Sequence, residues 1–358
     1  MPAGLSSRHL GRLNPGVRAI QLTTHGAPGR HERRDVPDPQ PAPGEVVIGV
    51  EACGLNHLDL WCEQGDLPIP LQLPRTQGCE VAGRIVQLGS QATGWRLGER
   101  VAVPSNLFCG QCEYCRRGNE SMCLQSVMLG VQRDGGLAER VTVPAHALER
   151  LPDGVSFETA AALALAGSTA MHMLTNRAQV KPGDWVLVIG GASGVGSAAI
   201  QIASRLGGRV LSTGSTEAKR RLCEQLGAEA VLDPADPAWP AKVRNLTGKH
   251  GADLVVEHVG GAILQQVFNC LARGGTVVTC GATAGREVPF NLWPFFVKQQ
   301  RLIGSYSRNR ADLEATLAWA ADGRLKPVID AIYPLEKAPE ALARLRARDV
   351  LGKVLVKP

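Results

Sequence analysis

No stretch of 18 or more apolar residues occurs in these 358 residues, so the sequence offers no helix to span a membrane. Aromatic residues make up only 4%. No Lys/Arg run is interleaved with them, and the arginines behind the net charge of +6 are scattered. Nucleic-acid recognition therefore has no footprint, and the mild basic excess suits an anionic cofactor or a small-molecule substrate. Residues 1–16 hold no acid and no apolar core of a secretion signal. Ser6, Ser7, Arg8 and Arg12 leave a transit peptide open, but the plainer reading is a disordered extension. Ten cysteines in a chain this long do not read as a secreted disulfide scaffold. A reducing cytoplasm is the expected setting, without a membrane or nucleic-acid partner.

Four of those cysteines form the strongest local signal. Cys109, Cys112, Cys115 and Cys123 have the spacing C-x2-C-x2-C-x7-C in a short polar stretch. Four thiolates so close make a tetrahedral sulfur cage, which suits Zn2+ in a closed, structural site. An iron–sulfur cluster is the rival, but the ferredoxin run continues x3-C-P. Here the gap is seven, and Leu124 follows. Disulfides or free thiols are the other alternative.

From Val17 to about Pro152 the pattern is short β runs broken by Gly and Pro, which suggests a barrel-like β domain. Glu45–Val50, Gly83–Leu88, Arg100–Val103 and Glu139–Val143 are its clearest runs. Near Phe157 the texture changes to strands alternating with helices, which argues for a parallel sheet covered on both faces. The spacing predicts strands at Trp185–Ile189, Arg209–Ser212, Leu254–Glu257, Gly275–Cys280 and Leu302–Ser305. The final run Gly352–Val356 is expected to return to the first domain.

Between the first of those strands and its helix lies Gly190-Gly191-Ala192-Ser193-Gly194-Val195-Gly196. Strand, glycine turn and helix N-terminus together make a pyrophosphate site, with Gly191, Ser193, Gly194, Val195 and Gly196 as candidates. The loop departs from G-x-G-x-x-G, since Ser193 takes the middle glycine's place. An NAD site wants an acid at the end of the next strand. The chain there reads Ser212-Thr213-Gly214-Ser215-Thr216, with Lys219 and Arg220 following. Absent repulsion plus hydroxyls and cations favour a 2′-phosphate, so Gly214, Ser215, Lys219 and Arg220 point to NADP(H). The blander alternative is a solvated helix start.

The cysteine lobe, the GASGVG loop, Gly251-Ala252-Asp253, Val259-Gly260-Gly261 and Gly352-Lys353-Val354 together resemble the zinc-type medium-chain dehydrogenase/reductase superfamily. The resemblance covers residues 17–358. It implies an α/β architecture: a GroES-like, β-barrel-type catalytic domain over 17–166 with the zinc lobe near 105–125, a doubly wound Rossmann NADP-binding domain over 167–305, and a return to the catalytic domain over 306–358. Family members are usually homodimers or homotetramers. By resemblance, Thr169, Gly281 and Ser305 line the nicotinamide, and Lys353 lies near the cofactor phosphates.

The family's alcohol dehydrogenases draw a catalytic zinc from three segments. Here the first has Asn56 where the cysteine belongs, the second has Cys79 in place of the histidine, and the third falls near Leu165. The proton-relay position is Leu58, while the acids Asp59 and Glu80 are kept. The lobe zinc thus reads as intact and the catalytic zinc as lost. Asn56 at this place is similar to the zinc-free quinone oxidoreductases. A different site built from Cys53, His57, Asp59, Cys79 and Glu80, all expected on loops or turns, is the competing idea.

Without a second metal, hydride delivery to a conjugated acceptor is the less demanding chemistry, because the charge spreads onto a distant oxygen. The sequence therefore predicts an NADPH-dependent oxidoreductase acting on a quinone, an enone or an enoyl thioester. Asn56, Asp59, Cys79 and Tyr306 are its candidate catalytic residues, with Asn56 orienting acceptor or ribose and Tyr306 a candidate proton donor. Trp61, Phe108, Met128 and Trp293 are candidate pocket walls. A zinc-dependent alcohol dehydrogenase with a rebuilt site and a non-enzymatic NADPH-binding protein are the two alternatives.

Overall fold

The computed structural model describes residues 16–358. The extension expected over 1–16 lies, Gly16 aside, outside the described residues. The first domain is built around Glu45–Gly54, whose Val46, Val47, Ile48 and Val50 favour a pleated, buried conformation. That strand pairs antiparallel with Arg140–Pro144 and Glu80–Leu88, and its end pairs with Lys353–Lys357. Register shifts at Val47/Ile48 and Val50/Ala52 bend it, as curvature toward a barrel requires. The sheet runs in the order Glu149–Arg150, Arg100–Val103, Glu80–Leu88, Glu45–Gly54, Lys353–Lys357, Ile329–Pro334. Ile48, Ile85, Val101, Leu137 and Val354 fill its core. The last two strands come from the far end of the chain, so the C-terminus completes the GroES-like domain.

The second domain is a six-stranded parallel sheet in the order Ala230–Leu232, Arg209–Thr213, Trp185–Val188, Ala252–Glu257, Leu271–Thr279, Arg301–Gly304. Its central strand alternates between two covered faces. Val186 and Val188 pack with Ala199 and Ile202 on one side, while Leu187 packs with Trp239 and Val255 on the other. Reading from the centre, the sheet winds first toward Ala230–Leu232 and then the other way. The reversal falls between Trp185–Val188 and Ala252–Glu257, where doubly wound sheets open a ligand crevice. Among the elements that escaped the sequence reading are a strand and a helix of this domain. Ala230–Leu232 is only three residues long, and Trp239–Leu246 carries Pro240 in its first turn, which a helix tolerates there. None of the helices is long and apolar enough to cross a membrane among the described residues.

Candidate active site

The glycine loop occupies that crevice. Ser193 caps the helix Gly194–Arg205, its Oγ accepting from the Gly196 N–H at 3.0 Å. The Thr213 hydroxyl pins the loop's start by accepting from the Gly190 N–H at 2.9 Å. A Cβ on Gly191 would come within 2.1 Å of the Ser212 Oγ, and one on Gly196 within 2.3 Å of the Gly190 carbonyl. Only glycine permits this close packing of loop, helix and neighbouring strand, so the first turn of the helix stays open to a pyrophosphate. His258, which sequence reasoning passed over, lies beside the loop with its Nε2 3.3 Å from the Ser193 Oγ. Burial pushes its pKa down. Its signal was positional: it is the first residue beyond the C-terminal end of Ala252–Glu257.

At the end of the second strand, Lys219 reaches back over the loop. Its Nζ donates to the Arg348 carbonyl at 2.7 Å and lies 3.5 Å from the Ser215 Oγ. Arg220 is already engaged, through Nη1, with the Gly214 carbonyl at 2.9 Å and Asp233 at 3.2 Å. The two cations expected together are therefore unequal: Arg220 is spent on Gly214 and Asp233, while Lys219 lies beside Ser215. The Arg348 guanidinium itself donates to the Thr283 carbonyl at 2.9 Å.

Across the crevice, the three segments that resemble zinc-ligand segments converge. The Asn56 Nδ2 lies 3.8 Å from the Cys79 sulfur, and the Leu165 N–H donates to Glu80 at 2.6 Å. Glu80 is fully buried at the N-terminus of Ala166–Met171, where it also accepts from the Ala166 N–H and from Asn56 Nδ2. Lys353 fills the middle. Its Nζ lies 2.6 Å from Glu80 Oε2, 2.7 Å from Asn56 Oδ1 and 2.7 Å from the Leu55 carbonyl. Lys353, expected near the cofactor phosphates, thus places its ammonium group on Glu80 and Asn56. The stem does cross the glycine loop, since a Cβ on Gly194 would meet Lys353 Cδ at 2.6 Å. Its charge, however, is drawn into the first domain by the buried carboxylate of Glu80.

These contacts also redefine the other candidates. Asn56 precedes the helix His57–Gln64, and its side chain is spent on the Gly54 carbonyl, Glu80 and Lys353. It positions the cation and has no free donor for an acceptor. Asp59 is a clamp: its carboxylate accepts from the backbone N–H of Asn56 at 2.8 Å and of Gly78 at 3.1 Å. Burial raises its pKa to about 6, against the lowering pull of those N–H groups. Burial, reinforced by Asp59 and Glu80, holds the Cys79 thiol well above its usual range. Cys53 and Glu80 lie in strands, not on loops, and His57 and Asp59 lie in a helix, which the capping box Asn56-x-x-Asp59 starts. An amide, a single thiol and an aliphatic side chain at these three places, with the Lys353 ammonium group against Asn56, do not fit a catalytic zinc.

The remaining candidates separate. Thr169 is buried in the helix Ala166–Met171. A Cβ on Gly281 would strike the His258 carbonyl at 2.7 Å, so its backbone lies against the crevice wall. Ser305 leaves the edge strand with its N–H on the Thr279 carbonyl at 2.8 Å. Tyr306 is 54% exposed and Trp293 71% exposed. Phe108 belongs to the first domain's core, where its carbonyl meets His146, and so is no pocket wall.

In the lobe, the sulfurs of Cys109, Cys112, Cys115 and Cys123 all lie within 4.8 Å of one another. Two of their separations are 3.5 and 3.9 Å, against the edge of about 3.8 Å expected of a tetrahedron with bonds of about 2.3 Å. Backbone N–H groups of Cys109, Cys112 and Gln125 point at the Cys123 and Cys109 sulfurs from 3.3 to 3.4 Å. The residues fit a structural zinc. Among the described residues no other set of three or more His, Cys, Asp or Glu side chains converges in this way.

A GroES-like domain closed over the switch point of a doubly wound sheet is the framework of a nicotinamide-dependent oxidoreductase. Residues 42–153 match the alcohol dehydrogenase GroES-like domain and residues 194–322 match zinc-binding dehydrogenase, so the chain belongs to the zinc-type medium-chain dehydrogenase/reductase superfamily. It is 32% identical to an alcohol dehydrogenase of Geobacillus stearothermophilus over 90% of this chain and 95% of that one. It resembles the crystal structure of an NAD-dependent alcohol dehydrogenase with TM-score 0.91 and 38% identity, covering 95% of this chain and 99% of that one. It also resembles the 2-octenoyl-CoA carboxylase reductase CinF in complex with NADP and 2-octenoyl-CoA, with TM-score 0.87 and 27% identity over 95% of this chain and 87% of that one.

Proposed function

We propose that the protein is an NADPH-dependent reductase of conjugated acceptors (quinones, enones or enoyl thioesters) that works without a catalytic metal. The observation that carries this reading is the Lys353 ammonium seated between Asn56 and Glu80, where positions 56, 79 and 165 meet. Reduced nicotinamide held along the glycine loop would supply the hydride. Lys353 contributes the positive end of a fixed ion pair with Glu80. Its three N–H donors are all engaged, so it acts on an acceptor across space and not as a ligand. Leu165 and the protonated Cys79 add an apolar, uncharged wall. An isolated ketone gathers negative charge on one oxygen and calls for a direct electrophile; a conjugated acceptor spreads that charge, and a remote cation suffices.

Lys219 with Ser215 supports a 2′-phosphate and hence NADPH. Two structurally similar proteins, CinF and a zinc-binding dehydrogenase of Sinorhizobium meliloti, were crystallised with NADP. The CinF complex also holds an enoyl thioester. Ten free cysteines among the described residues fit a reducing cytoplasm. The exposed side chains of Leu292, Trp293 and Phe296 on one short helix support self-association.

A zinc-dependent alcohol dehydrogenase is the second reading, because relatives bear that name. Metal analysis of purified protein beside a panel of quinones, enones, enoyl-CoAs, ketones and alcohols separates the two. One zinc per chain with enone or quinone turnover supports the reductase. Two metals with alcohol turnover replaces it by the dehydrogenase, and tight NADPH binding with no turnover on any compound leaves a cofactor-binding protein.

A further inference from the structure

Arg308 is only 4% exposed, yet no carboxylate lies within ion-pair distance of it among the described residues, and residues 1–15 contain no acid to supply one. Its Nε has no hydrogen-bond partner, and Nη1 has only the Ser307 hydroxyl at 3.4 Å. A buried guanidinium left this bare is costly unless something else completes it. The acids whose charge it feels are Asp312, Glu80, Glu120 and Glu149, and each is engaged elsewhere. Asp312 holds His172 and the Asn309 N–H, Glu80 holds Lys353, and Glu120 and Glu149 both hold Arg310.

Two further features mark the place. Ser305 Oγ and Ser105 Oγ are also buried without a partner among the described residues. Ser105 follows the strand whose Val103 pairs with Val81, next to Glu80. Ser307, directly before Arg308, has φ of 55°, a left-handed conformation a serine adopts at some cost. The turn so formed brings the arginine inward just past the C-terminal end of Arg301–Gly304.

The strands that lead to the pyrophosphate loop and to Arg308 stand well apart in the sheet. The pyrophosphate loop follows Trp185–Val188, and Arg308 follows a strand three places away in the sheet. At about 4.8 Å per strand this is about 14 Å, toward the side away from the 2′-phosphate site on Arg209–Thr213. We propose that Arg308 recognises a carboxylate carried by the acceptor, so that the preferred substrate is a conjugated carbonyl compound with a carboxylate of its own. A guanidinium pairs with a carboxylate through two parallel N–H bonds, and Nε with one Nη is the edge left open here. The proposal rests on the reductase reading for its conjugated acceptor, but not for the carboxylate.

The test pairs acids with their neutral esters. With NADPH, wild-type protein is given trans-4-oxo-2-pentenoate or its methyl ester. The acid is expected to be favoured at least tenfold in kcat/KM, mostly through KM, and R308M is expected to bring that ratio near one. Separately, calorimetry on the NADP+-loaded protein compares the saturated probes 4-oxopentanoate and its methyl ester. At least tenfold tighter binding of the acid, lost in R308M, supports the proposal. Equal binding of acid and ester by wild type, or a preference kept in R308M, overturns it. If R308M does not fold, the wild-type ratio decides. If nothing is reduced at all the reductase reading fails, while the calorimetric ratio still reports on Arg308.

Discussion

Lys353 Nζ and Glu80 Oε2 lie 2.6 Å apart, and both side chains are almost wholly withdrawn from solvent. Truncating one partner strands the other. Lys353→Met is expected to cost about 3–5 kcal/mol of stability by leaving Glu80 buried and uncompensated. The double variant K353M/E80Q should recover part of that loss without recovering reductase activity. Urea unfolding of the single and double variants, beside hydride-transfer rates, checks both statements. A stable, fully active K353M would remove the cation from the mechanism.

The Asp59 carboxyl titrates near pH 6 in the folded chain against 3.8 for the free side chain. A folded acid with a raised pKa binds more protons than its unfolded form between those values, so its contribution to stability falls as pH rises through that window. The unfolding free energy of D59N relative to wild type should therefore shift in the variant's favour by ~3 kcal/mol between pH 3.5 and pH 7. Denaturant titrations across that range measure the shift; a flat difference would show that the carboxyl ionises normally.

Cys112→Ser removes one corner of the sulfur cage. Zinc content should fall from one per chain toward none, and the melting temperature should drop, because metal binding and folding of the lobe are linked. NADPH affinity should hold, since the glycine loop belongs to the other domain. A large loss of NADPH affinity in protein that still melts cooperatively would contradict this separation.

Lys219→Ala should weaken NADPH by about tenfold or more, as expected for loss of one charge-assisted contact, and NADH much less. Fluorescence titrations with both cofactors read the ratio directly. Equal weakening would place Lys219 away from the 2′-phosphate.

Residues 56–64 show where sequence legibility ended. The cysteine lobe and the glycine loop could be read because their chemistry is set by spacing within a few residues. The capping box Asn56-x-x-Asp59 was equally local, yet the eight-residue helix it starts was hidden in a stretch of short β runs. The convergence of positions 56, 79 and 165 was legible only through resemblance. The destination of Lys353 was not, because it depends on a strand pairing that joins Leu355 to Gly54 across most of the chain. Arg308 and Arg348 were invisible for the same reason: what marks them is the company they keep or lack in space.

The Gly352 N–H donates to the Ala192 carbonyl at 2.7 Å, and Lys353 follows at once. During synthesis the sulfur lobe and the parallel sheet emerge from the ribosome before the residue that charges the crevice. A truncation that removed Lys353 would disarm the centre and leave all six strands of the parallel sheet in place.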